Sequence, residues 1–416
     1  MGQDRARVEA LLVSAALFGA NALSYVLNMV AARVLAPEVY GALGSLLAIV
    51  VVGAVPAMGM QSVAALHVAR TARAAGSDGV LAAEGRLLRT GLGGAALTAL
   101  VGLAITPLLV ALLHLPSAWP VVWLGLALAP LTLLGVFHGV LQGHRRFGVL
   151  ALLVGVEGVA KVGGSLAGLL ITGTIGGTMA GMAIGLVVVA TVGWWVCGRR
   201  RPVRGGPTPA RDVFHASQAI LGLVLLVNMD IVLARHHLTG VQAGDYAIGA
   251  IITKIAYWLP QAVAVIVLPR FASERGRRRT VPIALAVIAL LDVWVVLVAA
   301  IWGGGVIRLI GGPGYGSHVS AAWLFALLGS CLALVQLLLY SRIATGDRRS
   351  TTAVWVAVAA EILLVSVWFG ESVAQVAGSA IAAVGLLVVA GLALEWFSAR
   401  RPLAGAAPPV SPPPGG

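Results

Sequence analysis

The sequence predicts an all-α polytopic membrane protein whose twelve transmembrane helices form two sets of six. Three observations predict it. Of 416 residues, 59% are hydrophobic and only 10% are charged, whereas soluble domains carry about 25% charged residues. The apolar residues fall in runs of about 20, the length that crosses a hydrocarbon core of about 30 Å. When those runs are threaded alternately through a membrane, 23 of the 28 basic residues fall on one side.

The first six runs lie near 10–32, 41–66, 89–113, 119–141, 149–171 and 176–197. The second six lie near 215–236, 244–268, 281–302, 319–341, 351–369 and 372–395. Arg5 and Arg7 ahead of the first run, with Ala20-Asn21-Ala22 further on, imitate a signal peptide and its small-residue cleavage site. The apolar run continues to Ala32, however, so it reads as the first helix. Between the sixes, the basic Pro/Gly-rich stretch at 198–213 reads as a cytoplasmic linker joining lobes at 1–197 and 214–400. The Pro-rich tail at 401–416 reads as disordered.

Orientation follows from arginine. Clusters at Arg70 and Arg73, Arg145 and Arg146, Arg199 to Arg201 and Arg277 to Arg279 all fall on the side that holds both termini, while the opposite boundaries hold only Arg33, Arg235 and Arg308. The positive-inside rule therefore places both termini in the cytoplasm, with the protein multi-pass in the cytoplasmic membrane. This pattern also accounts for the net charge of +13 without a nucleic-acid partner. Cys197 and Cys331 both lie in apolar runs, which argues against a disulfide framework or a zinc site.

Local patterns fit this frame. Gly164 and Gly168 in one run, and Gly177, Gly181 and Gly185 in the next, recur every four residues, a spacing that lets helices approach closely. Trp119, Trp194, Trp195, Trp302 and Trp396 lie near span ends, as interfacial anchors do. The halves also echo each other. NMVAARVLAPEVYGALG from Asn28 and NMDIVLARHHLTGVQAGDYAIG from Asn228 each place an Arg before a Tyr, and a mid-helix proline follows, Pro56 and Pro260. Six spans per half makes the halves parallel repeats, and the two prolines are candidate hinges.

The remaining information is in the polar residues inside the membrane. Lys161 and Lys254 are the only lysines, and both sit within apolar runs. On the eighth helix Tyr246, Lys254, Tyr257 and Gln261 fall within about 80 degrees of one another, a stripe expected to line a pathway. Ser14, Asn21, Ser24, Tyr25 and Asn28 make a second such stripe on the first helix, and interhelical hydrogen bonding would also explain it. Glu157 stands four residues before Lys161, so two readings fit. Either the two neutralise each other, or Lys161 serves an anionic ligand and Glu157 keeps it charged. Asp230, Asp292 and Glu361 complete the intramembrane charges. Six unpaired charges would cost on the order of 15 to 20 kcal/mol, so each needs a partner, water or a function.

Several classes are excluded. There is no phosphate-binding Gly-Lys-Ser/Thr loop and no HExxH, and adjacent His236 and His237 make a poor metal pair. An ATP-driven pump and a membrane hydrolase do not fit. A sugar polymerase would want a large outer loop, and the longest outer segment runs only from about Gly303 to His318.

The stretches ARVLAPEVYGALGSLLAIVVVGAVP, from Ala32, and NMDIVLARHHLTGVQAGDYAIGAIITKIAYWLPQAVAVIVLPRFAS, from Asn228, resemble the polysaccharide and O-antigen (Wzx-type) flippases. Those belong to the multidrug/oligosaccharidyl-lipid/polysaccharide exporter superfamily. The resemblance implies a MATE-like fold, two six-helix lobes around a cationic central cavity that opens alternately to each side. It implies a polyprenyl-pyrophosphate-linked oligosaccharide as substrate, no cofactor, and polysaccharide polymerase and glycosyltransferases as partners. The cationic lining maps onto Lys254 and Lys161, with Arg33 and Arg235 at the outer mouth. Asn21, Tyr25, Asn28, Tyr257 and Gln261 would meet the sugar. Glu157, Asp230, Asp292 and Glu361 are the candidates for ion coupling. A cation-coupled multidrug exporter of the same superfamily and a non-transporting membrane scaffold are the rival readings. Such drug exporters commonly carry a carboxylate in the first helix, where this chain has only amides.

Overall fold

The computed structural model describes residues 2–74, 77–199, 201–203, 209–258, 274–312, 314–315, 322–343 and 348–400. The first half forms α1 (Gly2–Val34), α2 (Pro37–Gly53), α3 (Val55–Ala74), α4 (Ser77–Ala104), α5 (Thr106–Leu112), α6 (Trp119–Gly143), α7 (Phe147–Thr172) and α8 (Ile175–Val196). The second half forms α9 (Ala210–His237), α10 (Gly240–Trp258), α11 (Glu274–Gly311), α12 (Ala322–Ile343), α13 (Arg348–Val367) and α14 (Val373–Arg400). Among the described residues there is no strand. Ten helical segments among them are long and apolar enough to cross a membrane. The predicted eighth span is described only as far as Trp258, and the eleventh offers a shorter apolar stretch, Thr352–Val367. This is a multi-pass membrane protein.

Proline explains where spans are broken. The second predicted span divides at Ala54, two residues before Pro56, because a proline has no N–H for the helix ladder and fits the first turn of a new helix. The third predicted span also divides, at Ile105, with Pro107 opening α5. That second break was not expected.

The glycine spacing does what the sequence predicted. The chain turns after α7 on Gly173, which has φ +64, and Thr174 caps α8 by accepting the Gly177 N–H at 3.1 Å. The two helices then run together so closely that a Cβ on Gly168 would strike the Gly177 carbonyl, and one on Gly164 the Gly181 carbonyl. α1 leans on the other flank of α7, with Ala20 against Gly158.

In each half one helix forms the centre. These are α6 and α12, the fourth and tenth spans, and each has 72% of its apolar window buried, the largest share among the spans. The halves meet where α2 packs on α10 and where α2 and α3 pack on α9. The α2–α10 crossing is a backbone contact, since a Cβ on Gly41 would lie 2.7 Å from the Gly244 nitrogen.

Successive loops alternate between two ends, as the arginine pattern requires. At one end the Val203 N–H donates to the Gly85 carbonyl at 3.1 Å, His144 bonds Glu84, and Gln61 donates to Gln142 at 3.2 Å. The other end, predicted to face outward, joins Arg33 to Leu309 and Arg235 to Leu113.

Candidate functional site

In the second half the buried charges converge. Tyr246, in the second turn of α10, is fully buried with its ring edge-on to Phe325 of α12 at 5.0 Å. Its hydroxyl donates to Oδ2 of Asp230 on α9 at 3.0 Å. Glu361 of α13 is 0% exposed, accepts no hydrogen bond among the described residues, and lies within electrostatic reach of Asp230 and Tyr246. Lys254 lies two turns along α10 from Tyr246 and is partly exposed. It feels the charge of Asp230 but forms no ion pair within 4 Å among the described residues. Three helices thus bring two carboxylates, a phenol and an ammonium into one apolar interior, where each interaction is strengthened by the low dielectric.

The first half repeats this design with the charge removed. Tyr40 of α2, also 0% exposed, donates to Oδ1 of Asn28 on α1 at 3.0 Å, and Asn28 Nδ2 donates to the Ser24 carbonyl at 2.8 Å. Asn28 precedes Arg33 by five residues, as Asp230 precedes Arg235. The repeat therefore aligns Asn28 with Asp230, two residues away from the register that the shared Asn-Met suggests. Asn228 turns elsewhere, donating to the Val224 carbonyl at 2.8 Å.

Each half also places a glutamate on its fifth span. Glu157 of α7 turns to His138 of α6, with Oε2 and Nε2 3.5 Å apart. The alternative in which Glu157 neutralises Lys161 does not hold in this geometry, and Lys161, half-buried, has no ion pair among the described residues. Asp292 of α11 is 4% exposed and stands apart from the Asp230 cluster, beside Ser330 and Cys331 of α12. The Ser330 proton goes instead to the Ala326 carbonyl at 2.9 Å.

The expected pathway stripe on α10 is packed in this conformation. Tyr246 and Tyr257 are buried, Lys254 is the partly exposed member, and Gln261 and Pro260 lie outside the described residues. On α1, Asn21 and Tyr25 are half-buried, and neither side chain has a hydrogen bond among the described residues. Arg33 and Arg235 sit at the predicted outer end. A cavity of about 510 Å³ at that end, between α11 and α12, is lined by Trp302, Arg308 and Trp323 and contains none of the predicted site residues.

Three solved structures superpose on this architecture. A multidrug resistance MATE family transporter of the MOP superfamily, in its inward-facing conformation, matches with TM-score 0.75 and 12% identity, covering 90% of this chain and 94% of that one. The lipid II flippase MurJ in an inward closed conformation matches with TM-score 0.74 and 13% identity, covering 94% of this chain and 88% of that one. An outward-facing conformation of a MATE family transporter of the MOP superfamily gives TM-score 0.60 at 14% identity, over 94% and 95%. The chain has the fold of the MOP transporters. No protein-family profile and no curated protein matches the sequence.

Two participants in the site escaped the sequence reading. Tyr40 is a buried donor to Asn28, and its placement opposite Tyr246 in the repeat was the available signal. His138 is a lone histidine on a largely apolar helix, a pattern more often structural than not, and nothing in its spacing ties it to Glu157 nineteen residues later.

Proposed function

We propose that the protein is a flippase of the cytoplasmic membrane that moves a polyprenyl-pyrophosphate-linked oligosaccharide outward by alternating access. The observation that carries this reading is one lysine per half inside the membrane, Lys161 and Lys254, neither in an ion pair among the described residues, within a fold shared with transporters. A pyrophosphate crossing a low-dielectric interior needs such charge. The half-buried Asn21 and Tyr25 of α1 supply sugar partners. α1 packs mainly on α7 and touches the second half only slightly, which leaves a side where a polyprenyl tail can remain in lipid.

Asp230 and Glu361 are the proposed coupling pair. Two neighbouring buried carboxylates cannot both stay charged cheaply, so a proton or cation held between them would link their occupancy to movement of α9 and α13. This pair also supports the second reading, a cation-coupled drug exporter. The coupling carboxylate would then lie in the second half, where Asp230 takes the place of the amide Asn28.

Lys254→Ala separates the two. In membranes with normal levels of the variant, export of surface polysaccharide is expected to stop and the lipid-linked precursor to accumulate on the inner leaflet. Normal export by that variant would rule out the lysine-lined route, and drug resistance conferred by the wild type would favour the second reading.

A further inference from the structure

The arginines at the predicted outer end are placed by a symmetry that their sequence positions alone do not reveal. Arg33, at the end of α1, reaches across to the second half and donates through Nη2 to the carbonyl of Leu309, in the last turn of α11. Arg235, at the end of α9, reaches across to the first half. Its Nε donates to the carbonyl of Leu113, which caps α5, at 3.0 Å, and its Nη1 donates to the Glu38 carbonyl at 3.1 Å. Beside it, His236 Nδ1 meets the Leu112 carbonyl at 2.9 Å and its ring stacks on His114. α1 and α9 are the first spans of their halves, and α5 and α11 end the third spans. The same contact is therefore made twice, once in each direction.

The chemistry of the contact is specific. The last carbonyls of a helix have no partner in the helix and carry the negative end of its dipole, so a guanidinium placed there satisfies them and is itself stabilised. Neither Arg33 nor Arg235 forms an ion pair within 4 Å among the described residues, so backbone carbonyls are their direct partners. The seam they flank is tight. Gly41 meets Gly244, Gly44 meets the Ala247 side chain, and Tyr315 seats its ring edge-on against Tyr40 at 6.0 Å. Burial, with the charges of Asp245 and Glu38, keeps the Tyr315 hydroxyl protonated and neutral there.

We propose that Arg33 and Arg235 form a reciprocal clasp that holds the outer ends of the two halves together, each arginine gripping the end of the other half's third span. Opening to the outside breaks both grips, and only this step rests on the export reading above.

The test measures distance and needs no substrate. Spin labels at Ser117 and Glu371, exposed at the outer end of opposite halves, are placed in the full-length chain with Cys197 and Cys331 replaced. Loss of one charge-assisted hydrogen bond shifts a two-state equilibrium roughly tenfold. Arg33→Gln should raise the ratio of long to short distances by about that factor, Arg235→Gln, which loses two such bonds, by at least as much, and the double variant by roughly a hundredfold or more if the grips are independent. Arg→Lys at either position should restore part of the short population. An unchanged distribution in the double variant, inserted and monodisperse, would overturn the clasp, and a response from only one arginine would overturn its reciprocity. If distances respond while Lys254→Ala exports normally, the clasp stands and the flippase reading falls. The converse pair of results condemns the clasp alone.

Discussion

Tyr246 and Tyr40 make the same hydrogen bond from the same place in the repeat, yet losing it should cost different amounts. Tyr246→Phe removes the one hydrogen bond that the Asp230 carboxylate accepts among the described residues and leaves that group buried at 2% exposure. The expected loss is about 2 to 3 kcal/mol. Tyr40→Phe leaves a neutral amide whose Nδ2 still donates to Ser24, so about 1 kcal/mol is expected. Thermal unfolding of the two purified variants in one detergent checks the order, and an equal or reversed order would contradict a charged acceptor at Asp230 against a neutral one at Asn28. At this scale the sequence was partly legible. It named every buried carboxylate of the site, because a charge in an apolar run is conspicuous. It could not say that Glu157 turns to His138 and away from Lys161, because that choice depends on where α6 lies.

Among the elements, α7 and α8 give the clearest agreement between spacing and structure. Their crossing needs hydrogen at Gly168 and Gly181, whose Cβ positions are filled by carbonyls of the facing helix. Gly168→Leu should therefore force the pair apart and destabilise the first half by about 1 to 3 kcal/mol or more, read as a lower thermal midpoint. Leucine at Gly163, where a Cβ meets nothing within 4 Å, should be neutral. The break before Pro107 was as legible as the one before Pro56. Both depend on the same missing N–H, but only one fell in the middle of a repeated motif and attracted notice. The register of the repeat was misjudged for a different reason. More residues separate Arg235 from Tyr246 than separate Arg33 from Tyr40, so matching Asn-Met to Asn-Met hid the pairing of Asn28 with Asp230.

For the whole molecule, counting arginines predicts a topology that a labelling experiment can check directly. A cysteine at Ser117 should react with a membrane-impermeant maleimide on intact cells. One at Arg145 should react only after permeabilisation, and the opposite result would invert the orientation. How the halves meet was not legible in the sequence, because it depends on a backbone contact between Gly41 and Gly244 and on arginines whose partners are carbonyls of distant chain. The hydrogen bond from Val203 to Gly85 has a mechanical consequence. The chain that leaves α8 is fastened to α4 at Val203, and α9 begins at Ala210. Only six residues, 204–209, separate the fastening from that helix, and seven Cα steps reach at most roughly 25 Å. Those seven steps set an upper limit on how far the start of α9 can move from α4, and inserting Gly-Ser pairs after Val203 should raise that limit, read as a longer distance between spin labels on α4 and at the start of α9, without touching any residue of the site.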